Sequence, residues 1–478
     1  MSGGSHSTNI YIGLVESYPP MLSVSDFVLN RLTSAPSEYK RHRKRFRRWI
    51  FYRMKSLLGS FLSGESDYRL IVVPGLRGVG KSTLLWQLYE YLMGRLDPTN
   101  VLHLPVDIMK AYTGNDSIVE AYEAFLSHSS RGRKVMLIDE VTYSGNWPLE
   151  LKALHDKDPD MGFIVTGSSS LHLRVAENAD LARRAVVEPM FPLSFGEYLM
   201  IRGSLRWTEF AGDLARAIYE LSPEKALEEL RNVESRVIGA SRGFDPRRDL
   251  EEYLRIGGFA FSALSRDRWL AWNQVYESVQ RALERDLTGF RGFDDETVFK
   301  AGMLVNSLAL SQGAATSLSR LADEAKMDKK TLLKVMDALE KCELLFAVRP
   351  RSEVAYRRGV SNKYYFATPT IRVALRRIAG YQEDNLGLLA EEAVAASLRK
   401  VAFLRRGGFS GLRYVIENGE VDFLLEGSRG EMMIEVGWGR KRGGAISRAS
   451  GRRLVIHGGD LKAEGGMLYV PLWLFLMI

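Results

Sequence analysis

The stretch that most constrains this chain is PGLRGVGKST, residues 74–83. It fits G-x-x-x-x-G-K-[ST], with Gly75, Gly80, Lys81 and Ser82 in the fixed places, Gly78 between the two glycines and Thr83 following. Glycines let successive backbone N–H groups close around phosphate oxygens, a lysine reaches the β and γ phosphates, and a hydroxyl ligates Mg²⁺. The flanks agree: RLIVV (69–73) reads as a buried strand, and KSTLLWQLYEYL (81–92) as a helix whose N-terminus adds its dipole to anion binding. The motif therefore predicts an α/β core with a parallel sheet, built to hold ATP with Mg²⁺.

A second nucleotide motif belongs on a neighbouring strand. KVMLIDE (134–140) is an apolar strand ending in two acids. A carboxylate at a strand tip can hold Mg²⁺ and the next one can polarise the attacking water, so Asp139 is assigned to the metal and Glu140 to the water. GFIVTGSSS (162–170) ends in hydroxyls; beside the P-loop strand, Ser168 would face the γ-phosphate. Arg183 and Arg184, in LARR (181–184), are candidates to stabilise charge on a transferred phosphoryl group, in the same chain or a neighbour's. A surface pair gripping nearby acids would show the same letters.

Lys and Arg total 66 against 58 Asp and Glu, a net charge of +8 that leans toward an anionic partner. Cys342 is the single cysteine, which excludes an internal disulfide framework and a cysteine-rich zinc site and fits a reducing cytoplasm. The polar start MSGGSHSTNI has no signal-peptide core, and MLYVPLWLFLMI (467–478) is too short to span a membrane and contains Pro471. It is expected to be a buried terminal strand.

The order of motifs resembles a family of archaeal and bacterial AAA+-type ATPases that carry a restriction-endonuclease-like C-terminal domain. The resemblance rests on the P-loop followed by TLLWQL, then LIDEV, Trp147 with LKAL (151–154), VTGSSS, PLSFGEYL, IGGF (256–259) and ERDL (284–287). It implies an additional-strand P-loop core, a helical lid, a winged helix and a nuclease-like domain. The corresponding boundaries are 1–66 for an N-terminal extension with a basic helix, 67–200 for the core, 201–300 for the lid, 301–378 for the winged helix and 379–478 for the last domain.

Residues 317–350 carry the winged-helix pattern. Asp328 can cap a helix over KKTLLKVMDALEKC that keeps Leu332, Val335 and Leu339 on one face, and RPRSEVAYRRGVSNK between two strands would be a basic wing. Lys329, Lys330, Lys334, Arg351, Arg357 and Arg358 are the candidate DNA contacts, although such modules also join protein domains. YKRHRKRFRRWIFYRMK (39–55) has nine Lys or Arg and no acid, interleaved with aromatics. It suits a nucleic-acid backbone, or a helix docked through Phe46, Trp49 and Ile50 with a cationic face left outside.

In the nuclease-like family the pattern is a helical Glu, an Asp, then Glu-x-Lys on adjacent strands. Glu391, Asp422 and Glu435 match, and the lysine position is Gly437. Two carboxylates suit Mg²⁺, but glycine supplies no amine to orient water. Lys441 could replace it only if the strand ends early, so the expectation is an inactive fold kept for binding or assembly, without nuclease activity. The expectation is thus a cytoplasmic DNA-binding ATPase that remodels or moves on DNA, alone or assembled with further copies of itself, with no membrane partner. The alternatives are a nucleotide-controlled regulatory switch and an ATP-dependent nuclease.

Overall fold

The computed structural model describes residues 21–42, 46–168, 175, 179–206, 210–287, 293–311, 313, 317–351, 362–416, 420–447 and 449–478. The P-loop strand β1 (Leu70–Pro74) is buried along its whole length, as a continuous apolar run in a parallel sheet must be. It lies inside a five-stranded parallel sheet with β2 (Val101–Pro105), β3 (Lys134–Asp139), β4 (Met161–Gly167) and β5 (Ala185–Val187), in the order β2-β3-β4-β1-β5. β4 is the additional strand, inserted between the P-loop strand and the strand that ends in Asp139. Alternate residues serve opposite faces. Ile71 and Val73 pack with α2 (Trp49–Ser63) and α3 (Lys81–Met93). Leu70 and Val72 pack toward α1 (Val24–His42), α5 (Ile118–His128) and α6 (Trp147–Lys157), with α4 (Val106–Thr113) following β2.

Downstream come α7 (Phe195–Ile201), α8 (Ala211–Glu220), α9 (Pro223–Ala240), α10 (Pro246–Ile256), α11 (Ala260–Leu264) and α12 (Arg268–Arg281), which runs on into a π-helical turn over Ala282–Asp286. This helical middle does not act as one lid. The apolar faces of α8 and α9 (Leu214, Ile218, Leu230, Val233, Val237) pack on the C-terminal sheet, and Arg452 donates to the Tyr219 carbonyl at 2.6 Å. α11, α12 and the π turn are the parts that stand over the P-loop, through Phe261, Ser278, Arg281 and Asp286. Periodicity names the buried face of a helix, not the surface that buries it.

α13 (Asp295–Leu310), α14 (Leu318–Glu324) and α15 (Lys329–Lys341) are followed by the antiparallel pair β6 (Leu345–Pro350) and β7 (Lys363–Phe366), then α16 (Pro369–Ile378). Asp328 caps α15 by accepting from the Lys330 and Thr331 amides at 2.9 and 3.1 Å, and Leu332, Val335 and Leu339 are fully buried. Arg357 and Arg358 lie outside the described residues. The last segment adds α17 (Leu386–Phe403), β8 (Phe409–Val415), β9 (Val421–Gly427), β10 (Gly430–Val436), β11 (Arg452–His457), β12 (Lys462–Glu464), β13 (Met467–Pro471) and α18 (Leu472–Phe475).

These strands form a mixed sheet, β12-β13-β11-β10-β9-β8-β6-β7, in which β6 pairs in parallel with β8 through Arg349↔Arg413 and Pro350↔Tyr414. A boundary at 378 would therefore cut one sheet in two, since the hairpin before it extends the sheet after it. The terminal apolar run is strand only to Pro471, after which it turns into α18, and all of Leu474–Ile478 is buried. Glu392 of α17 forms a fully buried pair with Arg372 of α16, which also donates to the Leu308 carbonyl at 2.6 Å, so three helices meet on one guanidinium. Among the described residues no helix is long and apolar enough to cross a membrane.

Candidate nucleotide site and a second acidic cluster

The turn from β1 into α3 is made by Gly78 (φ 83°) and Gly80 (φ 105°), both left-handed, a conformation that only glycine adopts without strain. At Gly78 a side chain would also meet the Phe261 ring at 2.7 Å. Lys81 is buried at the start of α3 and donates to the Gly75 and Leu76 carbonyls at 2.8 and 3.3 Å. Burial lowers its pKa, with Glu140 and Asp139 opposing the shift.

Both acids stand at the end of a strand as expected, but β3 lies two strands from the P-loop rather than beside it, because β4 is inserted between them. Asp139 accepts a hydrogen bond from the Thr166 hydroxyl, and the same hydroxyl receives the Glu140 amide at 3.3 Å. Thr166 was not singled out by sequence; it is the β4 residue in register with Val73. Ser168, buried, comes just after the Gly167↔Pro74 pair at the P-loop edge of the sheet. Glu140 itself is left-handed (φ 53°, ψ 47°), an unfavourable state for a non-glycine that costs roughly 1–3 kcal/mol and aims its side chain at the P-loop region. Burial raises its carboxyl pKa, and Lys81 works against that rise.

A polar cavity of about 530 Å³ opens over these groups, lined by Arg77, Lys81, Ser82, Glu140 and, from α12, Ser278 and Arg281. Beside it lies an apolar cavity of about 680 Å³, which shares Gly78, Gly80, Thr83 and Phe261 with the first and is walled by Phe46, Tyr52, Met190 and Ile201. Phosphate-sized polarity next to base-sized apolarity, joined at the P-loop, is the shape a nucleotide requires. Sequence reading missed Arg77, Arg281 and the apolar chamber; the aromatics between 46 and 52, which suit either a nucleic-acid backbone or a helix docked on the core, were the available signal.

Three of the basic residues in the N-terminal stretch, Arg47, Arg48 and Arg53, are spent on acids of the core. Arg48 grips Glu197 of α7 through two hydrogen bonds, 2.9 and 2.8 Å, and also donates to the carbonyls of Val79 in the P-loop (3.0 Å) and Phe191 (2.8 Å). Burial disfavours the Glu197 charge, but Arg48 overrides it and the carboxyl stays below its ordinary pKa. Arg47 pairs with Glu90 at 2.8 Å and Arg53 with Glu188 at 2.9 Å. Arg43 and Lys44 lie outside the described residues. Truncating one member of such a buried pair strands the other, so Arg48→Ala is expected to lower stability by about 3–5 kcal/mol, read as a fall in the denaturation midpoint.

Arg183 and Arg184 sit at the wrong edge to serve their own P-loop. Ala185, the residue after them, registers with Leu70 at the start of β1, so the length of the strand, about 13 Å, separates them from Pro74. Arg184 is held by Asp156 at 2.7 and 2.9 Å, and Arg183 is exposed.

The C-terminal acids do converge. β10 ends at Val436, the chain turns back, and the Lys441 ammonium sits 2.7 Å from Asp422 Oδ2, 2.8 Å from the Val436 carbonyl and 3.5 Å from Glu435 Oε2. The amine expected to be missing is thus delivered from four residues further on. Its stem passes over Gly437, where an added Cβ would stand 3.1 and 3.2 Å from Lys441 carbons. Glu435 also accepts the Ile446 amide at 3.1 Å. Glu391 sits to one side, its carboxylate 2.6 Å from the Tyr365 hydroxyl and 3.7 Å from Lys363, with burial raising its pKa. Among the described residues no three acids, imidazoles or thiols cluster as metal ligands.

The parallel sheet with β4 inserted, the P-loop and the paired strand-tip acids define a P-loop nucleotide-binding core of AAA type. An AAA domain model matches residues 67–199, and a domain of unknown function (DUF8612) matches 247–382. The chain is 32% identical over 470 residues to the uncharacterized protein MJ1637 of Methanocaldococcus jannaschii, covering 96% of this chain and 95% of that one, and it belongs to the same family. Among solved structures it is similar to Aeropyrum pernix ORC1 in complex with DNA (15% identity, 68% of this chain and 91% of that one, TM-score 0.31). It is also similar to a mutant of Thermotoga maritima RuvB (16%, 70% and 97%, TM-score 0.27). Overlap this slight says nothing about what this chain does.

Proposed function

We propose that this protein is a Mg²⁺-dependent ATPase that couples hydrolysis to remodelling of, or movement on, DNA. The observation that carries the ATPase half is the convergence of Lys81, Ser82 and Glu140 on one polar cavity beside an apolar one, with Asp139 near enough to Lys81 to oppose the fall in its pKa. The P-loop amides and Lys81 would bind the phosphates, and Phe46, Tyr52 and Phe261 would enclose the base. Ser82 and Asp139 offer the hard oxygen donors Mg²⁺ takes, and the ion would neutralise charge on the β and γ phosphates. Glu140 orients the attacking water and accepts its proton. Arg281 approaches the same cavity from α12, and Arg183, exposed, would serve a neighbouring copy if it serves phosphoryl transfer at all.

DNA binding is supported by α15. With its apolar face buried, it leaves Lys329, Lys330 and Lys334 exposed on the other, and the chain as a whole is cationic. We read α14, α15 and the β6–β7 pair as a winged helix. Arg351 is tied to Glu431 at 2.7 Å and contributes less. Replacing Lys329 and Lys330 by Ala should weaken duplex binding and reduce the slope of log K against log salt by about 0.9 per lost phosphate contact. Filter binding across a salt series reads this, and an unchanged slope would leave α15 a protein-joining surface and favour a nucleotide-controlled switch.

A second reading is favoured by Lys441 bridging Asp422 and Glu435: hydrolysis of phosphodiester bonds at the C-terminal sheet. Two carboxylates are the donor set Mg²⁺ uses with substrate phosphate, so these residues fit the ion, which when bound would lower the pKa of its water. Lys441 would orient that water, and the Val436 carbonyl fixes the amine.

A further inference from the structure

Arg77 occupies a variable position of the P-loop, where the motif itself asks for no particular residue. Its guanidinium stands 3.6 Å from Asp286 at the end of the lid's π turn, an ion pair longer than a hydrogen bond. Its Nε, though buried, has no hydrogen-bond partner among the described residues, and neither has Glu140 Oε2 in the same cavity. A guanidinium is a fork of donors shaped for phosphate or carboxylate oxygens, and this one is incompletely used.

The charges around it make the contact conditional. Asp139, Glu140 and Asp286 bear on Lys81 and Arg77, and Glu277 and Arg281 line the same cavity, so Arg77 already has carboxylates to answer before any phosphate arrives. Burial raises the pKa of Asp286, the mark of a carboxylate held where its charge is costly. Asp139 ends β3 and Glu140 follows it directly, whereas Asp286 comes from the helical turn over the P-loop, so it can retire without unmaking the site. The adjacent Arg285 donates to the Tyr143 hydroxyl at 2.9 Å, in the short turn that follows Glu140. Two successive lid residues therefore hold the P-loop and the Glu140 turn together, on a π-helical turn of the kind that recurs at functional sites.

We infer that Arg77 is a phosphate ligand in competition: Asp286 and the terminal phosphate of ATP vie for its guanidinium, and the transfer of Arg77 to phosphate releases the lid. This rests on the reading of the cavity as a triphosphate site. ADP, lacking the third phosphate, leaves Arg77 with Asp286, so the lid distinguishes substrate from product. Release also frees the Arg285–Tyr143 tie and lets the Glu140 turn settle on the attacking water, while the π turn, packed on α13, and α12, packed on α16, pass the motion on.

The test compares MgATP and MgADP binding to the full chain by displacement of a fluorescent nucleotide. Asp286→Asn removes the competitor and should tighten ATP about tenfold while leaving ADP nearly unchanged; Arg77→Ala should weaken ATP about tenfold and bring it level with ADP. A merely structural ion pair would instead move both nucleotides equally in both variants, which overturns the inference. In the wild-type chain, hydrogen exchange at 282–287 should rise with ATP and stay put with ADP; unchanged or slowed exchange with ATP overturns it without any variant. Lys81→Ala separates the layers: if it binds ATP like wild type, the triphosphate reading fails, whereas loss of binding there with an unchanged ATP-to-ADP ratio in Asp286→Asn sinks only the exchange.

Discussion

Glu140→Gln is expected to bind MgATP as the wild type does and to hydrolyse it about 10²–10⁴-fold more slowly, the range that loss of a general base produces. The two side chains have the same length, and the left-handed backbone at 140 strains either one equally, so the substitution isolates the carboxylate charge. Burial raises the pKa of that carboxyl, which suits a base, while Lys81 and Arg77 work against the rise. Lys81→Ala should instead lose binding itself, because the ammonium that now caps the Gly75 and Leu76 carbonyls is the one that would reach the phosphates. Single-turnover hydrolysis with binding measured in parallel distinguishes the two, and equal turnover by Glu140→Gln and wild type would remove Glu140 from the chemistry.

The nucleotide site was legible because its parts are dictated locally. A glycine turn between a buried strand and a helix, and acids at the tip of the next apolar strand, need no knowledge of distant packing. Charge was misread where the partner lies far along the chain. Arg48 and Glu197 are 149 residues apart, and nothing local marks one as the counter-ion of the other. Read alone, Arg47, Arg48 and Arg53 are a cationic face; in the fold each has an acid from the core. The same blindness put residues 201–300 in one lid, when α8 and α9 in fact cover the C-terminal sheet. Register decided against Arg183 and Arg184 at their own P-loop, since a sequence shows that they precede a strand but not at which edge of the sheet the strand begins.

Lys441→Ala and Asp422→Ala are each expected to abolish Mg²⁺-dependent cleavage of DNA, a loss of at least about 10²-fold, while leaving ATP hydrolysis at the P-loop intact. Glycine at 437 argues against cleavage if the lysine must stand two residues after Glu435. The geometry relaxes that requirement: what the chemistry needs is an amine between two carboxylates, and the chain turning back after Val436 returns Lys441 to that place. Gly437 is then less a loss than a clearance, because the Lys441 stem crosses it at a distance that a side chain there would disturb. The decisive protein is the double variant Gly437→Lys with Lys441→Ala, which moves the amine to the position two residues after Glu435. It should recover cleavage that Lys441→Ala alone has lost, whereas Gly437→Lys alone crowds two lysines into one place and gains nothing. If wild type and the double variant both leave plasmid and oligonucleotide DNA uncut with Mg²⁺, the Asp422–Lys441–Glu435 cluster is a structural lock on the end of β10, and the C-terminal sheet serves binding.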